Sequence, residues 1–391
     1  MYRIGQEEID AVARVINAAA ANKRMFKTDA DEQNVHKFEK EFAEKTGAQH
    51  AIMMTSGFGA LVSGLTALGV GPGDEVIVPA YTYIASATAV TATGAIPVLC
   101  DVDATMTMDP ADVERKLSPA TKAIMPVHIQ GFPCDLGALC ALGKKRGFFV
   151  LEDACQAAGG SYKGKRLGTV GDIGAFSFNA FKIITCAEGG ALTTNNLQFH
   201  ERALIHHDSA AIAFFGSQLD GVKEPQFCGG EFRANEISAA VLREQLKKLD
   251  AILRDLRANK KRVMDALPNI AWIPSNDLAG DCGTTLACNF SDACQAEAFA
   301  TAPGVEGRRP INSGRHVYTN WTPLLKKQGA LHPAFDPFKM KENAGLQFNI
   351  TPDACLRSLD ILSRTVYVDV NPDWTEREIS DKIDALKKAA K

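Results

Sequence analysis

Two kinds of hydrophobic pattern alternate along the chain. Apolar residues recur at helical spacing over residues 6–22 and again over residues 34–46. Beyond residue 50, short and almost wholly apolar runs alternate with further helical stretches, the first of them over about 59–68. Strands that are buried on both faces and separated by helices predict a mainly parallel α/β sheet flanked by helices. The predicted strands lie at 51–54, 75–78, 97–100, 123–127, 148–151, 174–178 and 190–194.

The rhythm changes in the second half of the chain. A long helical pattern covers about 234–264, where leucines at steps of three and four residues lie on one stripe. After Leu267 shorter strand-like stretches at 270–274 and 284–290 precede a closing helix at about 375–389. We therefore predict a large α/β domain over residues 1–250, with a helical segment at its start, and a smaller α+β domain over residues 251–391.

Composition and charge narrow the class of protein. The chain has 391 residues, of which 46% are hydrophobic and 23% charged, and its formal net charge is −3. These values are typical of a globular protein, and the near-neutral charge makes nucleic acid a poor default partner. The polar residues after Met1 predict no signal peptide, and the absence of an apolar run of about 18 residues predicts no membrane span.

The ten cysteines point to a reducing compartment rather than to metal or disulfides. None of them forms a C-x-x-C pair, and no cysteine pair lies beside an H-x(3–5)-H motif. Scattered cysteines in a chain of this length fit a reducing cytosol better than a disulfide scaffold. We therefore expect a cytoplasmic protein without a metal site.

Four polar or glycine-rich groups lie near the ends of predicted strands, where parallel sheets bind ligands. The first is the Thr-Ser-Gly-Phe-Gly turn at 55–59, whose free N–H groups suit a phosphate, although such turns often serve only packing. The second contains Asp153 and Gln156. A carboxylate at this position is a candidate site acid, and a helix N-cap is an equal alternative.

The third group contains Lys182, which follows Phe178 and Phe181. Apolar neighbours would lower its pKa, as a Schiff-base lysine requires, but a surface lysine with a buried stem is the simpler alternative. The fourth, Ala-Glu-Gly-Gly at 187–190, predicts only a tight turn. The His-His-Asp sequence at 206–208 is expected to cap a helix rather than to form a metal or acid–base cluster. The arginines at 308–309 are expected to form a solvated surface pair, with an anion-binding role as the alternative.

Taken together and in this order, these groups resemble the DegT/DnrJ/EryC1/StrS family of pyridoxal-phosphate enzymes, which are mostly sugar and cyclitol aminotransferases of fold type I. The resemblance runs nearly end to end. Its strongest part is Glu-Asp-Ala-Cys-Gln-Ala at 152–157, Gly-Asp-Ile-Gly-Ala-Phe-Ser-Phe at 171–178, Lys182 and Glu-Gly-Gly at 188–190. Further matching segments are 37–43, 71–79, 82–86, 126–128 and 316–321.

The resemblance implies pyridoxal 5′-phosphate as the cofactor and assigns roles to this chain's residues. Lys182 matches the lysine that forms the internal aldimine and then carries the proton. Asp153 matches the carboxylate that pairs with the pyridine nitrogen, and Gln156 the residue near the phenolic oxygen. Tyr83 matches the aromatic residue that stacks on the ring. The residues implied at the phosphate are Ser56, Gly57, Phe58 and Ser177.

Three positions depart from the family pattern. Phe58 stands where a Thr or Ser is usual, so that only a backbone contact to the phosphate survives. Glu231 stands where an Asn usually reaches the phosphate of the neighbouring subunit, and a carboxylate there must point elsewhere or be offset by a cation. Ala187 replaces a usual Gly, and a positive φ at this position would strain Ala by about 1 kcal/mol or more.

The resemblance implies an aminotransferase that moves an amino group from glutamate or glutamine to a keto-sugar, a keto-cyclitol or a related ketone. Such a reaction belongs to the biosynthesis of an amino sugar or of a secondary metabolite such as an antibiotic. Lys182 favours this activity over that of sibling dehydratases, which carry His at that position. A homodimer with shared active sites is also implied.

Two other functions stay open: a lyase, decarboxylase or oxygenase that uses the same cofactor on an amino acid, and a non-catalytic regulatory homologue. The fold alone does not decide between them. Substrate residues are the least determined, because the sequence offers candidates by position only. They are His207, Arg233, Tyr318 and the Met-Phe-Lys segment at 25–27.

Overall fold

The computed structural model describes residues 3–21, 33–209, 211 and 218–391, and its centre is a seven-stranded sheet. Two further pairs of strands lie outside this sheet. In chain order the strands are β1 (His50–Met54), β2 (Glu75–Pro79), β3 (Ile96–Cys100), β4 (Thr121–Ile124), β5 (Phe149–Asp153), β6 (Ser161–Tyr162), β7 (Lys165–Arg166), β8 (Ile173–Ser177), β9 (Gly190–Thr194), β10 (Thr285–Asn289) and β11 (Thr365–Asp369).

The central sheet has the order β1-β9-β8-β5-β4-β2-β3, and six of its strands run in one direction. Four neighbouring pairs are parallel, and β9 lies antiparallel between β1 and β8. The prediction of a mainly parallel sheet is therefore confirmed, with one reversed strand. The carboxyl ends of the six strands meet at one edge, and residues 178–189 join β8 to β9 at that edge.

Helices cover both faces of the sheet, and the longest of the predicted ones appear close to their expected bounds. In chain order they are α1 (Gln6–Ala21), α2 (Asn34–Thr46), α3 (Gly57–Ala67), α4 (Ala85–Ala92), α5 (Pro110–Lys116), α6 (Leu136–Arg146), α7 (Leu197–His207), α8 (Glu236–Ala266), α9 (Ala293–Thr301), α10 (Thr322–Leu325), α11 (Leu356–Arg364) and α12 (Glu376–Ala389). None of the helices in the described residues combines the length and the apolar character that crossing a membrane requires.

The two faces of the sheet divide the core, because successive side chains of a strand point to opposite sides. Met53 of β1 packs in one cluster with residues of α2, α6 and α8. Its neighbours Ile52 and Met54 pack in another with α3, α4 and α7. Residues of the segment 318–355, far along the chain, complete this second cluster. The sheet is therefore buried on both sides, as its apolar strands predict.

Helix α3 lies close against the sheet because glycines face it. A Cβ on Gly64 would come within 2.8 Å of Leu151 Cδ1, and one on Gly57 within 2.7 Å of Ser177 Cβ. Ser56 caps the helix, with its Oγ accepting a hydrogen bond from Gly59 N at 3.0 Å. This close packing brings the first turn of α3 next to the end of β8.

The C-terminal part contains the antiparallel pair β10–β11 with α9, α11 and α12. The predicted strand at 270–274 is wrong: only Trp272 forms an isolated bridge, to Cys288. The backbone N–H of Trp272 donates to Ile270 O at 2.8 Å, within its own segment, and Pro274 has no N–H for a strand ladder. The domain boundary at residue 250 stays a prediction; α8 runs through that position without a break.

Two histidines of α7 are expected to make the fold sensitive to acid. His206 Nδ1 lies 2.9 Å from Ser63 Oγ, and the ring of His200 stacks on His50 with centroids 4.4 Å apart. Burial, and then nearby histidine charge, lowers the pKa of His200 and of His206 to about 4. Unfolded histidine titrates near 6.5, so the unfolded chain binds more protons below that pH, and stability is lost as the pH falls from 6.5 towards 4.

We expect urea unfolding at pH 4 to show a loss on the order of 2 kcal/mol per histidine relative to pH 7. The double variant His200→Phe/His206→Gln should lose most of this dependence. His36, whose side chain is 77% exposed, provides the control substitution His36→Gln, which should leave the dependence unchanged. An equal acid loss in all three proteins would contradict the assignment.

Candidate active site

A cavity of about 540 Å³ opens at the carboxyl edge of the central sheet. Its wall is built from the ends of β1, β5 and β8, from the start of α3 and from the segment 178–189. Ser56 and Lys182, 126 positions apart, meet here because parallel strands end at the same edge. The cavity is lined by every residue that the sequence assigned to the cofactor: Ser56, Gly57, Phe58, Tyr83, Asp153, Gln156, Ser177 and Lys182.

Asp153 is the last residue of β5, and its carboxylate is held by two donors. Ser86 Oγ donates to Oδ2 at 2.7 Å, and the N–H of Cys155 donates to Oδ1 at 3.1 Å. Thr82 Oγ1 lies 2.7 Å from Ser86 Oγ and orients that hydroxyl in turn. Residues 154–160 form turns rather than a helix, so Asp153 is not an N-cap. The carboxylate therefore has one fixed orientation at the cavity wall.

Glu152, the neighbour of Asp153, points to the opposite face and is completely buried. Its two oxygens accept hydrogen bonds from the backbone N–H groups of residues 168, 170 and 171, at 2.6–2.7 Å. His128 Nε2 lies 3.0 Å from Oε2, and His128 Nδ1 accepts from Cys134 N, so Nε2 carries the proton that Glu152 accepts. These contacts hold the turn that leads into β8.

The start of α3 forms a cradle that fits a phosphate. Gly57 lies so close to β8 that a Cβ would meet Ser177 Cβ at 2.7 Å and Cys155 Sγ at 2.8 Å. The free N–H groups of the first helical turn and the Ser177 hydroxyl therefore face the same space. Phe58 offers no hydroxyl, and its ring, 39% exposed, lies at the cavity mouth.

Lys182 lies in the segment between β8 and β9, with its backbone N–H bonded to Asn179 O at 3.1 Å. Among the described residues, its Nζ has neither a hydrogen-bond partner nor an acid within ion-pair distance. The two phenylalanines before it do not surround the amine as the sequence suggested. Phe178 packs in the core against Phe38 and Phe42, and Phe181 is 78% exposed.

The cavity mouth contains residues that the sequence did not single out as a site. The guanidinium carbon of Arg315 lies 5.5 Å from the ring centre of Tyr83, and the ring of His316 lies 5.6 Å from it. Burial lowers the pKa of His316, which keeps its ring neutral near pH 7. His316 begins the matching segment 316–321, which carried no site role, and no local pattern marked Arg315.

The expectation of a solvated surface pair at 308–309 fits Arg308, whose side chain is 48% exposed, and is wrong for Arg309. Arg308 lines the cavity, and its Nε donates to Asp369 Oδ2 at 3.1 Å. Arg309 is 14% exposed; it pairs with Glu297 and donates to Ser363 O at 2.6 Å. Both guanidinium groups are therefore bound within the chain.

The structure brings none of the three proposed substrate residues to the cavity. Tyr318 is completely buried, and its hydroxyl donates to Pro352 O at 2.9 Å. His207 is also buried, with Nδ1 2.8 Å from Leu204 O. Arg233 pairs with Glu231 and, at 3.5 Å, with Asp208. The segment 25–27 lies outside the described residues.

Two of the departures from the family pattern now have a physical description. Glu231 is offset by a cation, because Arg233 Nε pairs with its carboxylate. Ala187 has a φ of 72°, the left-handed conformation that favours glycine, and its N–H donates to Thr185 Oγ1 at 3.1 Å. The sequence left open whether Glu231 has a cationic partner and whether Ala187 has a positive φ. The structure shows both.

The chain is similar to proteins of one known family. The model of the DegT/DnrJ/EryC1/StrS aminotransferase family matches residues 4–280, and the chain belongs to this family. It is 41% identical over 232 residues to the GDP-perosamine synthase of Escherichia coli O157:H7, an alignment that covers 59% of this chain and 61% of that protein. It is 42% identical over 216 residues to the enzyme of the same name from Caulobacter vibrioides, covering 54% and 56%. The chain thus aligns with less than two thirds of these relatives' lengths.

A solved structure extends the likeness to the whole chain. The aminotransferase from Psychrobacter cryohalolentis has a TM-score of 0.76 to this structure at 30% identity, covering 98% of this chain and 96% of that one. Pyridoxal 5′-phosphate is the cofactor of this family. The cavity fits it, because a phosphate cradle, an oriented carboxylate and an unpaired lysine amine face the same space.

The backbone of Ala187 yields a prediction about stability. In the folded protein, the left-handed conformation costs Ala about 1–2 kcal/mol and costs Gly nothing. Gly also makes the unfolded chain more flexible, which offsets part of this gain in stability. Ala187→Gly should therefore raise the free energy of unfolding by about 0.5–1 kcal/mol in urea titrations. Ala180, exposed in the same segment without a positive φ, is the matched control. A gain for Ala180→Gly equal to that for Ala187→Gly would contradict this account.

Proposed function

We propose that the protein is a pyridoxal-phosphate-dependent aminotransferase that moves an amino group from glutamate or glutamine to a keto-sugar. The observation that carries the proposal is the meeting of Lys182 and Asp153 in one cavity with the phosphate cradle. Because two relatives are named GDP-perosamine synthase, a nucleotide-linked keto-sugar is the first acceptor to test. The reaction belongs to amino sugar biosynthesis; a role in antibiotic formation stays a prediction.

The bound cofactor supplies a protonated ring that withdraws electrons from the carbon that bears the amino group. The carboxylate of Asp153, fixed by Ser86 and Cys155, would hold a proton on the ring nitrogen. The amine of Lys182 would take up the proton that leaves the substrate carbon and hold it during the transfer.

Arg315 supports an anionic substrate. In the part of the chain that the structure describes, its guanidinium has no hydrogen bond or ion pair, whereas that of Arg308 is neutralised by Asp369. Glutamate carries carboxylates and a nucleotide sugar carries a diphosphate, and both suit a free guanidinium. We propose that Arg315 binds such a group at the mouth of the cavity.

The homodimer is part of the proposal. Three aromatic side chains at the mouth are exposed by 39% for Phe58, 41% for Tyr83 and 78% for Phe181. A second subunit over this edge would cover an apolar surface that a monomer leaves in water. Light scattering tests it, and a fully active monomer would contradict it. A cytoplasmic location fits the ten cysteines, all free in the structure.

Part of the reason for considering a lyase or oxygenase, or a non-catalytic homologue, no longer applies. A lyase or oxygenase was suggested by Phe58 and Glu231, and Glu231 now has a partner in Arg233. A non-catalytic homologue would not need the ordered Thr82–Ser86–Asp153 chain of hydrogen bonds. Both functions remain outcomes of the experiment below.

The test is an absorbance spectrum of the protein with pyridoxal phosphate, before and after excess L-glutamate or L-glutamine. We expect a visible band that one of these donors discharges, because the amino group is transferred to the cofactor. Lys182→Ala should lack the band, and Lys165→Ala, at an exposed position of β7, should keep it. A band that neither donor discharges would favour the lyase or oxygenase, and no band in the wild type would favour the non-catalytic homologue.

Arg315→Gln provides a second prediction. We expect the KM of the anionic substrate to rise about tenfold, equivalent to about 1.4 kcal/mol, with a small change in kcat. Measuring the donor and acceptor half-reactions separately shows which substrate carries the bound group. Arg377→Gln, at a site 91% exposed on α12, is the control. Unchanged KM values in both half-reactions would remove Arg315 from the site.

A further inference from the structure

We propose that Gln130 is a positioning residue that fixes the amide of Gln156, so that the N–H of this amide and not its oxygen faces the cofactor. The inference rests on the proposed function and adds to it a residue that touches no reacting atom. It is carried by a strained turn whose hydrogen bonds join β10 to the cavity wall.

The turn containing Gln130 has an unusual backbone. Gln130 has φ 53° and ψ 19°, inside the 3₁₀ turn Ile129–Gly131, and Gly131 follows at φ 80°. A residue with a Cβ pays about 1–2 kcal/mol for this left-handed conformation. Such a conformation persists only where its surroundings hold it, and it is common at functional sites.

Three hydrogen bonds hold Gln130 in place. Thr284 Oγ1 donates to its carbonyl oxygen at 2.6 Å, and Thr285 Oγ1 donates to its Oε1 at 3.1 Å. Both threonines are nearly buried and lie at the start of β10, more than 150 residues further along the chain. The third bond is the one that reaches the site: Gln130 N donates to Gln156 Oε1 at 3.0 Å.

This third bond determines which end of the Gln156 amide faces the cavity. A backbone N–H can only donate, so the atom that it meets must be the amide oxygen. Oε1 is therefore bound to the turn, and Nε2 remains as a donor beside the cavity that Gln130 and Gln156 both line. A donor stabilises the negatively charged form of an oxygen on the bound cofactor and lowers the pKa of that oxygen.

The test is the pH dependence of the cofactor's visible absorbance in the loaded protein. Gln130→Ala leaves a residue with a Cβ in the left-handed conformation but removes the side-chain bond to Thr285. We therefore expect the turn to change its conformation and the pH midpoint of the absorbance change to rise by about half a pH unit or more. Gln130→Gly adopts the same backbone without strain and should shift the midpoint less. Thr285→Val, which keeps the shape but removes the donor, should shift it in the same direction as Gln130→Ala.

A double variant separates positioning from general damage. If Gln130 acts through Gln156, Gln130→Ala adds nothing to the midpoint shift of Gln156→Leu. A lower Tm for Gln130→Ala with an unchanged midpoint, or shifts that add in the double variant, would overturn the inference and leave the proposed function intact. A wild-type protein that takes up no pyridoxal phosphate would remove the proposed function and this inference together.

Discussion

The site depends most on the hydrogen bonds that hold the completely buried carboxylate of Glu152. A charge removed from water is costly unless donors satisfy it, and Glu152 has three backbone N–H groups and one imidazole N–H. These donors come from the segment that follows β4 and from the turn that precedes β8. Because side chains alternate along a strand, the anchoring of Glu152 on one face sets the direction of Asp153 on the other. A single strand end thus contributes both the support and the functional carboxylate.

The reversed strand β9 has an equally direct consequence. Parallel neighbours require a long crossover, whereas antiparallel neighbours can be joined at the same edge of the sheet. Since β9 runs opposite to β8, the chain remains at the carboxyl edge from residue 178 to residue 189. Lys182 lies within this short connection, directly over the ends of the parallel strands. The topology therefore places the amine of Lys182 at the cavity with no helix between β8 and β9.

Sequence patterns predicted the parts of the molecule where burial is uniform. The strands of the central sheet are apolar on both faces, so their runs could be read directly. Each polar group at their ends left an alternative open, and only the family resemblance assigned cofactor roles to its residues. The prediction of a strand at 270–274 failed because an apolar run does not show that the backbone N–H of Trp272 bonds within its own segment, to Ile270 O. The position of Arg308 and Arg315 at the cavity could not be predicted, since loops that return to the site from the C-terminal part carry no periodic signal. Tyr318 belonged to a matching motif, yet its hydroxyl serves the core.

The segment 318–355 also constrains how the protein is made. Tyr318, Trp321, Leu324, Ile350 and Cys355 complete the hydrophobic cluster on the α3 face of the sheet. Synthesis proceeds from the N-terminus, so the strands and α3 leave the ribosome long before the residues that cover them. Until then part of this apolar cluster is exposed to water, which is the kind of surface that aggregates and that chaperones bind. Expression at reduced temperature or with added chaperone capacity should therefore matter more for this chain than its ordinary composition suggests.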